Sequence, residues 1–133
     1  MEVAPTSLSV LIVEDSAVVT ERIREVLYNL SGITVIGSAA DSREALTIIQ
    51  LMAPDVVLLD IGIPGISGIQ VLKEIKLKYK GTRVIMLTNY SGAEYRDFCF
   101  VLGADFFYDK STEFEKIPET LEIMLAEKKE RMK

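Results

Sequence analysis

No histidine occurs anywhere in the 133 residues, and cysteine occurs once, at Cys99. Without histidine the usual zinc sites are excluded, as is every Ser-His or Cys-His nucleophile pair. A single cysteine excludes an internal disulfide framework; Cys99 reads as a small buried hydrophobe. No apolar run reaches the ~20 residues needed to span a bilayer. Met1 to Ser9 carries neither the basic nor the apolar region of a secretory leader. Basic residues are in the minority, 15 against 20 acidic ones, for a formal net charge of −5. That balance argues against direct nucleic-acid binding, because neutralising phosphates needs a basic surface. The expectation is a cytoplasmic protein that touches neither membrane nor nucleic acid.

The composition is that of a folded domain, 49% hydrophobic and 26% charged. The length suits one domain, read as spanning 1–133 with a core of about 8–125 and no output domain. Five short apolar runs alternate with amphipathic stretches. The runs are Leu8 to Val13, Thr34 to Ala39, Val56 to Leu59, Arg83 to Leu87 and Asp105 to Tyr108. Runs this apolar suit strands buried on both faces. Between them, apolar residues recur at helical spacing. Ser16 caps the first helix, Asp41 or Ser42 the second, and Ser91 or Gly92 the fourth. The fifth is expected from about Phe114, its charged end Ala126 to Lys133 solvated and frayed. A βα unit repeated five times predicts an α/β fold, a flavodoxin-like (βα)5 doubly wound parallel sheet in strand order 2-1-3-4-5.

Ligands of such sheets bind beyond the carboxyl ends of the strands. There the first strand presents Glu14 and Asp15, the third Asp60, the fourth Thr88 and the fifth Lys110. Any one of these has an ordinary explanation as a turn, cap or surface charge. Together, at neighbouring strand ends, they form a site. Three close carboxylates repel one another, and a divalent cation removes that cost. Oxygen-only ligands select Mg2+, with Mn2+ possible, over zinc. Thr88 can donate to a phosphoryl oxygen, Lys110 supplies positive charge, and Asp60 is the natural carboxylate nucleophile.

The acid pair in LIVEDS, the segment DIGIPGISG after VVLL, Thr88 after RVIML, and GADFFYDKS resemble the receiver domain of two-component response regulators. The resemblance runs from about Leu8 to Leu125. It implies Asp60 as phosphoacceptor, Asp15 as direct Mg2+ ligand, Glu14 acting mainly through water, and the Gly62 carbonyl as a backbone ligand. It implies Thr88 as switch hydroxyl, Lys110 as the phosphate-binding lysine, and Phe107 as switch aromatic. The phosphodonor is expected to be a histidine kinase or phosphotransfer protein. A downstream protein is expected on the face made by the fourth helix, fifth strand and fifth helix, with Tyr95, Phe107 and Phe114 near it. Phosphate on Asp60 is expected to draw Thr88 inward and make room for Phe107. The protein is thus a switch, not a conventional enzyme, though it catalyses its own phosphoryl transfer and slow autodephosphorylation. Ser111 follows the lysine where the family often has a cis-proline, and Gly62 and Tyr90 flank the site at positions that vary in the family. A haloacid-dehalogenase-like phosphatase would want an acid at position 62. A flavin carrier would be repelled by Glu14 and Asp15. A docking-only receiver would not need the full residue set.

Overall fold

A computed structural model describes residues 5–133. Met1 to Ala4 lies outside the described residues. Ten elements alternate: β1 (Leu8–Val13), α1 (Ala17–Tyr28), β2 (Ile33–Ala39), α2 (Ser42–Met52), β3 (Val56–Leu59), α3 (Gly68–Lys78), β4 (Arg83–Thr88), α4 (Ala93–Val101), β5 (Phe106–Asp109) and α5 (Lys116–Arg131). All strand pairs are parallel, in the order β2-β1-β3-β4-β5. The chain therefore leaves β1 for one side of the sheet and returns to its other side for β3. This reversal opens the crevice above β1 and β3.

Strand side chains alternate between two cores. Leu11, Val13, Val57, Leu59, Val84, Met86 and Phe107 pack with α2, α3 and Cys99 of α4. Leu8, Val10, Ile12, Val56, Leu58, Ile85 and Leu87 pack with α1 and α5. Both faces being dry explains why these strands read as unbroken apolar runs rather than alternating ones. Side-chain caps start the helices as the sequence suggests. Ser16 accepts from the Val19 amide and Asp41 from the Glu44 amide. Gly92, not Ser91, stands before α4 and offers no side-chain cap.

Two expectations need correction at the far end. The last helix begins at Lys116, leaving Phe114 buried in the preceding loop. The segment expected to fray instead continues α5 to Arg131 and is tied down. Glu127 accepts from Arg83 at 2.6 Å, and Lys128 donates to Asp55 at 2.8 Å and to the Ser7 carbonyl at 2.8 Å. Its charges are partners for the strand starts below the sheet, which a one-dimensional reading shows only as a polar run. The fifth strand also sits one residue later than expected, because the Asp105 carboxylate turns back to accept from the Val84 amide and Lys76.

Asp55 fastens β3 to β1 and α5. It accepts from the Ser9 amide (2.8 Å), the Ser9 hydroxyl (3.1 Å) and Lys128. Burial pushes its carboxyl up, but these hydrogen bonds outweigh it and hold the pKa below the ordinary aspartate value. Folding that lowers an acid's pKa adds stability above its unfolded pKa, and this is lost as pH falls through the folded value. Asp55→Asn should therefore cost about 2 kcal/mol near neutrality. In urea titrations the gap between wild type and variant should close as pH falls below the ordinary aspartate range of about 4. A gap that stays constant as pH falls would assign the loss to packing instead of charge.

Candidate functional site

Sheet register builds the site. Val13 pairs with Leu59 and Leu59 with Met86, so the residues that follow emerge side by side at the carboxyl edge. The Asp60 amide donates to the Val13 carbonyl at 3.2 Å, and the Lys110 amide to the Thr88 carbonyl at 2.9 Å. All the anticipated residues at strand ends converge. Glu14, Asp60 and Thr88 are buried, while Asp15 is exposed at the rim.

Lys110 stands between two of the acids. Its Nζ lies 2.5 Å from Glu14 Oε1 and 2.7 Å from Asp60 Oδ2. Glu14 Oε2 accepts from the Ser16 amide at 3.0 Å, and Asp60 Oδ1 from the Gly62 amide at 3.2 Å. Burial pushes the Glu14 carboxyl above its ordinary range and the Asp60 charge adds to this, against the pull of Lys110 and the Ser16 amide. Burial pushes Lys110 down, yet the hydrogen bonds and charges of Asp60 and Glu14 win and hold its pKa above the ordinary lysine value. Carboxylate oxygens of Glu14, Asp15 and Asp60 all lie within 4.8 Å of one another. Three carboxylates facing one ammonium leave an excess of negative charge. A hard divalent cation fits this all-oxygen donor set.

The loop after Asp60 is shaped by contacts that the sequence reading passed over. Ser42 Oγ accepts from the Ile66 amide at 2.9 Å, and the Ser42 amide donates to the Pro64 carbonyl at 3.0 Å. Gly65 has φ +92°, and a Cβ there would meet Ser42 Oγ. The Gly68 amide donates to the Ile61 carbonyl at 2.8 Å, folding α3 tightly onto Asp60. The glycines in DIGIPGISG are turn formers by residue type. Their partner Ser42 is 24 residues from Ile66, and no local pattern marks it.

The remaining anticipated residues have distinct positions. Thr88 Oγ1 accepts from the Tyr90 amide at 3.1 Å. The Tyr90 ring lies over Gly62, so that a Cβ on Gly62 would be 2.8 Å from Tyr90 Cε2. Phe107, expected to enter the core as Thr88 moves, is already there at 2% exposure, tilted against Phe100 with ring centroids 6.4 Å apart. Phe114 is likewise buried, beneath the Arg22 guanidinium at 4.0 Å, leaving Tyr95 as the exposed member of that trio. Described peptide bonds are all trans, including Lys110-Ser111.

A doubly wound five-stranded sheet with acids, a hydroxyl and a lysine at its switch point defines a CheY-like α/β signalling domain. The response regulator receiver domain family matches residues 10–122, and the chain belongs to that family. The domain is a phosphorylation-activated receiver of two-component signalling. The transcriptional regulatory protein YhcZ of Bacillus subtilis is 33% identical over 87% of this chain and 54% of its own length. A protein-glutamate methylesterase/protein-glutamine glutaminase of Xanthomonas oryzae pv. oryzae is 37% identical over 79% of this chain and 30% of its own. The chain thus spans about half the length of the first relative and less of the second. The response regulator domain of Thermotoga maritima CheB superposes with a TM-score of 0.77 at 30% identity, covering 91% of this chain and 95% of that one. A CheY-like receiver from Methanospirillum hungatei JF-1 gives 0.81 at 26%, covering 95% and 99%. No helix among the described residues is long and apolar enough to cross a membrane.

Proposed function

We propose that Asp60 accepts the phosphoryl group. The observation that carries this is the direct Lys110–Asp60 pair inside the acid cluster, since it puts a phosphate-neutralising cation on the nucleophile itself. One Asp60 oxygen forms the O–P bond as the N–P bond of a phosphohistidine donor breaks, and the released imidazole takes a proton from solvent. Lys110 then holds one phosphoryl oxygen, and the Thr88 hydroxyl donates to another. Glu14, Asp15, Asp60 and the Gly62 carbonyl would hold Mg2+, or Mn2+, which when bound neutralises charge on the phosphoryl oxygens. The chain has no histidine, so the phosphohistidine lies outside these 133 residues, on a cytoplasmic histidine kinase or phosphotransfer protein. Output goes to a protein partner through the face of α4, β5 and α5. Incubation with acetyl phosphate and Mg2+ should add one phosphoryl group by intact mass, and chelation should prevent it. No gain at saturating Mg2+ would leave a docking-only receiver.

The phosphorylated state should be long-lived. Hydrolysis needs a water in line with the Asp60–phosphorus bond. Gly62 has no side chain to orient one, and the Tyr90 ring lies where such a side chain would project. Gly62→Asn alone would drive a side chain into that ring, so the useful variant also carries Tyr90→Glu. This pair should speed loss of phosphate about tenfold at fixed Mg2+, through general-base positioning of water. Equal or slower decay would place control of water elsewhere.

A further inference from the structure

We infer that Tyr90, not Phe107, carries the state of Asp60 to the outer surface, through its ring contact with Tyr95 on α4. The inference rests on Asp60 as phosphoacceptor. Phe107 is already buried before any phosphoryl group arrives, among Met86, Cys99 and Ala104. It has no hydroxyl that could reward a position outside the core, so burial holds it inside in either state. A side chain with one stable position cannot report two states.

Tyr90 is tied at both ends to groups that phosphorylation engages. Its amide donates to Thr88 Oγ1. Its ring rests on Gly62, whose own amide donates to Asp60 Oδ1. Rotation of Thr88 to donate to a phosphoryl oxygen carries Oγ1 away from the Tyr90 amide. A phosphoryl group on Asp60 likewise changes the acceptor that places Gly62. Both supports of the ring therefore alter together.

The far side of the ring meets α4. Tyr90 and Tyr95 stand edge to face, with centroids 5.4 Å apart and planes at 67°. Such a pair adds attraction beyond that of its buried area. That is small against a core but large for this helix. Eight of its nine residues are exposed, with Cys99 alone buried, and Gly92 gives its first turn no side-chain cap. A helix with so few buried contacts lies at the low end of local stability. Removing one contact at its N-terminus shifts its population of open states, a bistable element biased by a local charge.

The test is amide hydrogen exchange across residues 93–101, with and without Mg2+ and beryllofluoride. Saturation is checked by fluorine NMR of the bound mimic. In wild type the mimic should speed α4 exchange about threefold or more. Tyr95→Ala should exchange at that raised rate without the mimic and gain nothing from it, while phosphorylation from acetyl phosphate continues. Tyr90→Ala should do the same in α4, and Tyr90→Phe, which keeps the ring, should respond as wild type does. Phe107→Leu should also retain the response. Survival of the α4 response in Tyr95→Ala and Tyr90→Ala, or its loss in Phe107→Leu, overturns the inference alone. A wild-type chain that neither gains a phosphoryl group nor binds beryllofluoride overturns the phosphoacceptor reading, and the inference with it.

Discussion

Asp60→Asn should take up no phosphoryl group from acetyl phosphate, a loss of about 10³-fold or more in rate, while the domain stays folded. The amide keeps the carboxylate's shape and still offers an oxygen to the Gly62 amide, but it is not a nucleophile at phosphorus. Lys110 retains Glu14 as its charge partner at 2.5 Å, so no ammonium is left buried and unpaired. Removing one of three clustered carboxylates also relieves repulsion. The urea midpoint should therefore move by less than about 1 kcal/mol equivalent. Intact mass and a denaturation curve on the same sample decide the matter. A variant that still gains one stable phosphoryl group would move the acceptor to another residue. A variant that unfolds would make Asp60 a structural carboxylate first.

Gly68→Ala should be the most disruptive small substitution in the chain. It adds one methyl group, yet that carbon would lie 2.0 Å from the Asp60 carbonyl oxygen and 2.7 Å from the Ile61 Cα. These obstacles are backbone, not the flexible end of a side chain, so α3 or the loop after Asp60 has to move. The cost should be about 3 kcal/mol or more, and phosphorylation should slow because the displaced segment carries Asp60. Helix propensity argues the opposite sign, since alanine is favoured over glycine by about 1 kcal/mol within a helix. Gly81→Ala is the control, because a Cβ at Gly81 meets nothing within 4 Å. It should change stability by no more than about 0.5 kcal/mol. Thermal or urea unfolding of the two variants side by side separates steric from propensity effects. Equal stability would mean that the α3 start yields easily and does not fix Asp60.

Output through α4 raises the question of what a partner would meet there. Tyr95, Phe98 and Val101 are exposed along one side of the helix at intervals of three residues. Only the first of them touches Tyr90. A partner that engages the later two would sense the helix's position and not the phosphate directly.

Much of this molecule was legible in one dimension. Strands buried on both faces must be apolar throughout, so VVLL and LSVLIV announced themselves. Ser16 and Asp41 mark helix starts because their side-chain oxygens satisfy free amides within three residues. The convergence of Glu14, Asp15, Asp60, Thr88 and Lys110 followed once parallel crossovers and strand order were accepted, because a parallel sheet brings all strand ends to one edge. The tertiary structure alone decided whatever depends on atoms distant in sequence. Lys128 finds Asp55 across 73 residues, which turns an expected frayed tail into a fastened helix end. Ser42 shapes the loop after Asp60 from another helix. Gly68 needs to be glycine because of the Asp60 carbonyl, not because of its own backbone angle. Phe107 sits inside the core and Tyr90 over Gly62 because rotamers answer to the space around them. Periodicity and capping act over a few residues and leave a mark in the sequence; packing, register and long-range charge pairing come into being only when the chain has folded.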